Sequence, residues 1–219
     1  MIGDCGGRCA RLGISKTLTS SQRKKQIADR KAEASPERIL LLGDSAEVSL
    51  FPTITRCWTH IGQQRVILTP GVHAAKRWNW GAVDPVTGRT VSVIHSRRNN
   101  VGFRRLLAAI SRAYELPAHP ERRVVLFVDN DKAHKAKTVS RLLEKHGNRI
   151  QLEWLPPYSP ELNAQEDVWR HMRRRVTHNH YFEHMDALLE AVEQFHRELE
   201  NEPDQALRLL KKWSRLIST

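Results

Sequence analysis

Residues 38–44, RILLLGD, and residues 123–130, RVVLFVDN, decide the fold that we predict for this chain. Each stretch is a short, uninterrupted apolar run, which is typical of a strand buried on both faces of a sheet. Each run delivers an aspartate, Asp44 in the first and Asp129 in the second. A carboxylate at the end of a buried strand is well placed for a functional site, although aspartate also begins many turns.

The remaining segments predict a mixed sheet. Residues 78–83 and 90–95 flank an Asp-Pro…Gly cluster, a strong β-hairpin signal, and residues 65–69 predict a further strand. Beyond residue 100, helical and strand patterns alternate, which predicts parallel strands joined by helical crossovers. The helices predicted there cover residues 100–114, 137–146, 161–175, 184–199 and 203–217, and a strand covers residues 150–155. We therefore predict an α/β protein in which an antiparallel meander and then βαβ units form one sheet flanked by helices.

The charge of the chain suggests its partner. Among 219 residues, 36 Lys and Arg stand against 24 Asp and Glu, which gives a net charge of +12. Such an excess favours nucleic acid as a partner over a generally basic surface. No apolar run reaches the roughly 18 residues of a membrane span, and no signal-peptide pattern begins the chain. We expect a cytoplasmic protein that does not contact membranes.

A third acidic segment strengthens the interpretation of the two aspartates as functional residues. Residues 155–169, LPPYSPELNAQEDVW, predict a rigid Pro-rich turn that leads into a helix. Helical geometry places Asn163 and Glu166 on one face, from which Glu166 can point at Asp44 and Asp129. Three converging carboxylates repel one another unless cations neutralise them, and hard oxygen ligands select Mg²⁺ or Mn²⁺. Two such ions support phosphodiester chemistry.

These segments resemble the catalytic core of mariner-like DDE transposases of the bacterial insertion-sequence branch. The resemblance covers residues 38–182 and is most specific in the Pro-Pro-Tyr-Ser-Pro-Glu-Leu-Asn block. It implies an RNase H-like fold, two Mg²⁺ or Mn²⁺ ions, and cleavage and strand transfer of DNA by a homodimer that holds two transposon ends in a synaptic complex. It assigns the catalytic and metal-binding acids to Asp44, Asp129 and Glu166, and supporting roles to Asn130, Tyr158 and Asn163.

The resemblance also organises the chain. We expect a poorly ordered or helical tail over residues 1–36, a catalytic domain over residues 37–182, and C-terminal helices over residues 183–219 that pack on the core. The family carries helix-turn-helix modules at the N-terminus, for which residues 1–36 are too short. We therefore expect a chain that keeps the fold and lacks sequence-specific recognition of transposon ends.

Some residues depart from the family pattern. Gly43 and Ser45 flank Asp44 where the family commonly has a second acid, and Ala164 replaces a usual proline. Asp131, Asp167 and Glu47 are extra acids that leave the ligand set open, although Glu47 on an alternating strand faces away from Asp44.

The residues predicted to contact DNA lie in two places. Arg56 and Trp58 belong to a loop where a cation and an aromatic ring can meet nucleic acid. Arg170, Arg173 and Arg174 continue the helix of Glu166, where a solvated basic face is the alternative to a contact with the DNA backbone. His134 is expected to support the site or lie at the surface rather than bind an ion.

Two other functions remain open from the sequence alone. One is a different RNase H-like nuclease, a resolvase or an RNase, against which the Pro-Pro-Tyr-Ser-Pro block argues. The other is a truncated, inactive remnant that binds DNA non-specifically or acts as an inhibitory partner of a full-length transposase. Metal-dependent nicking separates an enzyme from a passive binder.

Overall fold

The computed structural model describes residues 18–69 and 75–218. Five strands form its sheet: β1 (Arg38–Ser49), β2 (Lys76–Val83), β3 (Thr90–His95), β4 (Arg123–Val128) and β5 (Ile150–Trp154). The α-helices are α1 (Ser20–Ala32), α2 (Asn100–Ala113), α3 (Lys137–Lys145), α4 (Gln165–Met172), α5 (Met185–Asn201), α6 (Pro203–Leu209) and α7 (Lys211–Ser218). Within the described ranges, none of these helices is long and apolar enough to cross a membrane.

The sheet has the predicted mixed topology, with strand order β3-β2-β1-β4-β5. The first three strands pair antiparallel, and β1, β4 and β5 pair in parallel. The turn between β2 and β3 closes through backbone hydrogen bonds between Asp84 and Gly88 and between Asp84 and Arg89. Gly88 takes a left-handed conformation there (φ 76°), which glycine adopts without steric cost.

The alternation of side chains along β1 divides the core into two layers. Ile39 and Leu41 belong to the layer under α2 and α3, and Leu40 and Leu42 belong to the layer under α1 and α4–α7. Both layers contain large, buried apolar side chains, because β1 is a central strand that is covered on both faces. The uninterrupted apolar run of residues 39–42 is the consequence of this double coverage.

The structure corrects three details of the predicted elements. Residues 65–69 form no strand, and Val66 and Leu68 are exposed; β2 and β4, not this segment, pair with β1. The predicted helix over 161–175 is divided into a 3₁₀ turn (Pro160–Leu162), α4 and a π-helical turn (Arg173–Thr177). The predicted helix over 203–217 is divided into α6 and α7, with Leu210 between them.

The N-terminal helix α1 packs against the core and is not merely a solvated helix. Thr19 caps it in a capping box with Gln22. Ile27 is completely buried in the layer that holds α4–α7, and Arg23 forms an ion pair of 3.0 Å with Glu153 at 4% side-chain exposure. The part of the predicted tail over residues 1–17 lies outside the described residues.

We expect Ile27→Ala to destabilise the whole domain, because it leaves a cavity where α1 meets the core. A fully buried Ile→Ala change costs about 2–5 kcal/mol. Urea unfolding followed by circular dichroism measures this loss, with Ile54→Ala as the control, since Ile54 is 67% exposed. Equal stabilities of the two variants would show that α1 does not contribute to the core.

Candidate active site

The first predicted acid lies where a central strand loses one of its neighbours. Asp44 lies in the middle of β1 and not at its end, which corrects the predicted position. The parallel pairing of β1 with β4 ends at Leu42, opposite Phe127, whereas the antiparallel pairing with β2 continues to Ser49. The carboxylate of Asp44 can therefore project beyond the end of β4 without leaving a rigid strand.

The second acid, Asp129, directly follows β4. When the register of Leu42 with Phe127 is continued by two positions, Asp44 and Asp129 become neighbours. Both also fall on the same face of the sheet as Leu42 and Phe127, because side chains alternate along a strand. The parallel pairing thus brings together two residues that are far apart in the sequence.

The third acid, Glu166, lies in the first turn of α4, at the positive end of the helix dipole. Asn163 fixes the start of this helix to the sheet. Its side-chain amide donates a hydrogen bond of 3.1 Å to the carbonyl oxygen of Gly43, and its Oδ1 accepts one of 3.2 Å from the backbone N–H of Gln165. Glu166 is thereby held near the strand position that precedes Asp44.

A cleft of about 450 Å³ collects these side chains. Its lining residues are Asp44, Arg98, Asp129, Asn130, Asp131, Leu155, Pro156, Pro157, Tyr158, Ser159, Pro160, Asn163 and Glu166. The structure therefore brings together the three predicted acids and the three predicted supporting residues, although they come from separate elements. Asn130 links the ends of two strands, since its amide donates to the carbonyl oxygen of Leu155 at 2.7 Å.

Two basic side chains hold the acids that follow β4. His134 is buried, and its Nδ1 lies 3.1 Å from both the carbonyl oxygen and the Oδ1 of Asp129, so this nitrogen must carry the proton. Arg98 lies 2.7 Å from Asp131 and 3.7 Å from Asp129, and its guanidinium stacks over the ring of Trp78. His134 was predicted to support the site or lie at the surface, whereas Arg98 was not among the predicted site residues.

None of the residues predicted to contact DNA lines the cleft. Arg173 approaches Glu166 at 3.8 Å, Arg170 pairs with Asp167 on the same helix, and Arg174 is exposed. Arg56 and Trp58 belong to the loop over residues 50–69, and Trp58 is fully exposed. The base of this loop is fastened to the segment after α4.

Asn179 provides much of that fastening. Its side-chain amide donates to the carbonyl oxygen of Thr55, and its Oδ1 accepts from the backbone N–H of Thr55, both at 3.0 Å. Thr53 forms a backbone bridge with His178. The base of the loop is therefore anchored to the segment that follows α4, while its apolar side chains Ile54, Trp58 and Ile61 face solvent.

The sequence of the chain matches a known family over the segment that builds this cleft. The profile of the DDE superfamily endonuclease family covers residues 39–189, which include all three acids. The chain belongs to this family.

An uncharacterised 39 kDa protein of insertion element IS630 from Shigella sonnei is 29% identical over 174 residues, which cover 78% of this chain and 49% of that protein. The chain thus spans about half the length of that relative. A shorter uncharacterised protein of Sinorhizobium fredii, y4pE/y4sA, is 31% identical over 110 residues, half of this chain and 75% of that protein.

Solved structures with the same fold include those of the Mos1 mariner transposase. A pre-cleavage Mos1 transpososome superposes with a TM-score of 0.61 at 17% identity, covering 97% of this chain and 67% of that chain. The isolated Mos1 catalytic domain superposes with a TM-score of 0.54 at 16% identity, covering 92% and 94% of the two chains. This member of the DDE superfamily endonuclease family therefore has an RNase H-like α/β fold, as predicted.

The electrostatics of the cleft fit a divalent cation. Burial, the charge of Glu166 and the charge of Asp129 raise the pKa of Asp44 to about 7, although hydrogen bonds from Ser45 and Trp169 oppose the shift. Asp44 has no cationic partner among the described residues. A bound cation would relieve this repulsion, and carboxylate oxygens are the ligands that Mg²⁺ and Mn²⁺ prefer.

The carboxylates form an open site and not a closed cage. In the ranges that the structure describes, no three His, Cys, Asp or Glu side chains converge closely enough to enclose one ion. Mg²⁺ typically binds through one or two carboxylates and completes its shell with water and substrate phosphate. An open arrangement of acids along a cleft therefore suits an ion that shares its ligands with a substrate.

We expect Asp44→Asn to stabilise the metal-free protein at neutral pH. The folded chain binds the Asp44 proton more tightly than the unfolded chain, so ionisation of this group costs stability as pH rises from about 4 to about 7. Asparagine removes that cost, of about 1–4 kcal/mol, and can still accept the Trp169 hydrogen bond. Urea unfolding in EDTA at pH 4 and pH 8 measures it, and the difference from wild type should be near zero at pH 4.

Asp129→Asn is the matched control, with the opposite sign. Burial acts to raise the pKa of Asp129, but hydrogen bonds from His134 and Asp131 and the charges of His134 and Arg98 outweigh it and lower the pKa. Ionisation of Asp129 therefore stabilises the folded chain at neutral pH, and its loss should destabilise it. A gain or a loss in both variants would contradict the proposed charge distribution.

Proposed function

We propose that this DDE endonuclease is the catalytic core of a DNA transposase, which cleaves DNA strands and transfers the freed ends to a target. The observation that carries the proposal is that Asp44, Asp129 and Glu166, from β1, the end of β4 and α4, line one cleft. Family membership supports nuclease chemistry, and the relation to an insertion-element protein supports a role in transposition.

The reaction that we propose has two steps. In cleavage, the oxygen of water forms a bond to phosphorus, and the 3′ oxygen of the DNA leaves and is protonated. In strand transfer, the freed 3′-hydroxyl attacks a phosphodiester of the target, so that one P–O bond forms for each that breaks. Two Mg²⁺ or Mn²⁺ ions, held by Asp44, Asp129 and Glu166, would activate the attacking oxygen and stabilise the leaving one.

The chain's own residues would prepare the site for this chemistry. Asn163 holds the Glu166 helix on β1, Asn130 joins the ends of β4 and β5, and His134 fixes one oxygen of Asp129. Arg98 reaches into the same cleft and can exchange its carboxylate partners for a phosphate. Tyr158 lies fully exposed at the rim, in a left-handed conformation (φ 56°) that residues at functional sites often adopt.

DNA is the partner that we propose, and its approach is supported by the net charge of +12. Structures of Mos1 include paired-end complexes with DNA, which suggests that this chain acts as a homodimer on two ends. Light scattering with and without DNA ends would reveal the number of copies.

We expect metal-dependent nicking of supercoiled plasmid by the purified chain. Asp129→Asn and Glu166→Gln should abolish it, by at least about 100-fold, and leave plasmid binding intact. The matched control is Glu47→Gln, which neutralises an acid of β1 that is half exposed and paired with Lys76 outside the cleft.

Each outcome of this assay bears on the function. Nicking that needs Mg²⁺ or Mn²⁺ and survives only in the control supports the proposal. A folded, DNA-binding wild type that cuts nothing favours an inactive protein that binds DNA. Cutting restricted to branched DNA or to an RNA–DNA hybrid favours a resolvase or an RNase.

The loop over residues 50–69 generates a separate prediction about DNA binding. Arg56→Ala should lower affinity for plasmid DNA and reduce the slope of log K against log salt by about one, as for the loss of one phosphate contact. Trp58→Ala should lower affinity several-fold through lost stacking. Ile61→Ala is the control, because Ile61 is equally exposed but has no aromatic face. If Arg56→Ala and Trp58→Ala bind plasmid DNA as tightly as wild type and Ile61→Ala do, the loop is excluded from the DNA interface.

A further inference from the structure

Trp169 is a buried residue of α4, the helix that carries Glu166, and it donates a hydrogen bond directly to the carboxylate of Asp44. Its indole Nε1 donates to Oδ2 of Asp44 at 3.1 Å, and the residue is 1% exposed. The indole N–H can only donate, so it engages an unprotonated oxygen of the carboxylate. This contact joins β1 to α4 at the level of the two acids.

The sheet is shaped to admit this indole. Gly81 is the register partner of Asp44 on β2, directly across the strand pair. A Cβ atom at Gly81 would lie 2.6 Å from Cη2 of Trp169, which is closer than side-chain atoms approach one another. The absence of a side chain at this single position therefore leaves the space through which Trp169 reaches Asp44.

The ring has little freedom to move from this position. His196, buried on α5, meets it edge-on with ring centroids 6.1 Å apart. On the other side of the site, the hydrogen bond from Asn163 to Gly43 fixes the start of α4 one residue before Asp44. A rigid donor between two fixed elements determines the orientation of the carboxylate that it contacts.

We propose that Trp169 is a positioning residue. Its indole N–H orients Asp44 for divalent-metal binding and fixes the position of the helix that carries Glu166 relative to β1. Gly81, which has no side chain, provides the space for the indole. The inference rests on the proposed function, since it concerns the metal ions of that site. A residue that hydrogen-bonds to a metal ligand without contacting the metal itself typically changes metal affinity or activity about 10–100-fold.

The test is Trp169→Phe, which keeps an aromatic ring and removes the donor. We expect about 10-fold weaker Mn²⁺ binding, measured from the free Mn²⁺ signal by electron paramagnetic resonance, and a lower kcat for nicking at unchanged KM for DNA. Gly81→Ala should reproduce the loss of Mn²⁺ affinity. The matched control is Trp80→Phe, because Trp80 is also fully buried but its Nε1 has no hydrogen-bond partner among the described residues.

The outcomes separate the inference from the proposed function. A Trp169→Phe variant that binds Mn²⁺ as tightly as wild type, or no more weakly than Trp80→Phe, overturns the positioning role while metal-dependent nicking by wild type upholds the function. A folded wild type that neither binds Mn²⁺ nor nicks DNA overturns both.

If Trp169→Phe fails to fold, a second measurement on the wild-type chain tests the inference. The indole ¹⁵N–¹H resonance of Trp169 in the wild-type chain should move on addition of Mg²⁺ and should move again in Asp44→Ala. A resonance that is indifferent to both changes contradicts the inference.

Discussion

Repulsion among carboxylates that are held in one cleft is the constraint on which the rest of this structure depends. Asp44, Asp129 and Glu166 reach the cleft from β1, the end of β4 and α4, and burial together with the charges of the other two raises the pKa of Asp44. The fold must supply the energy that keeps like charges together. It does so with two layers of buried apolar side chains on the central strands, which fix the backbone at both aspartates.

The three acids are not treated alike by their surroundings. Asp129 receives a hydrogen bond from His134 and lies near Arg98, and Glu166 lies near Arg173. Among the described residues Asp44 has only neutral donors, the backbone of Ser45 and the indole of Trp169, and of the three acids it is the one with the raised pKa. The charge that these residues leave uncompensated thus lies on a central strand, where a cation would gain from binding.

Much of this arrangement follows from the sequence, because it depends on local patterns. The apolar runs before Asp44 and Asp129, the hairpin signal and the Pro-rich turn each specify an element without knowledge of its neighbours. Where the prediction was wrong, the cause was a partner distant in the chain. Residues 65–69 have the composition of a strand, but no free edge of β1 remains for them. The apolar run before Asp44 predicted that β1 ends there, but β1 continues to Ser49. The strand that ends at this level is β4, and its end creates the gap beside Asp44.

Trp169 and Arg98 were missed for a related reason. Trp169 follows Glu166 by three positions, which places both on one side of α4, but an apolar helix face gives no sign that an indole N–H meets a carboxylate. Its role becomes visible only with Gly81, which the register of β1 and β2 places opposite Asp44. Arg98 lies on a connection, where no periodicity indicates its direction.

The chain as a whole is positively charged, whereas the cleft is lined mainly by acids. A negatively charged substrate would therefore meet attraction at the surface and repulsion in the cleft. The chain carries +12, whereas the cleft is lined by four acids and, among the described residues, by Arg98 as its one arginine or lysine. A polyanion would therefore be attracted to the surface at long range, while short-range repulsion would keep its phosphates from the acids. Divalent cations held by these acids would remove that repulsion. Because such coupling is reciprocal, whatever strengthens the binding of the ions strengthens the binding of the phosphate by the same factor.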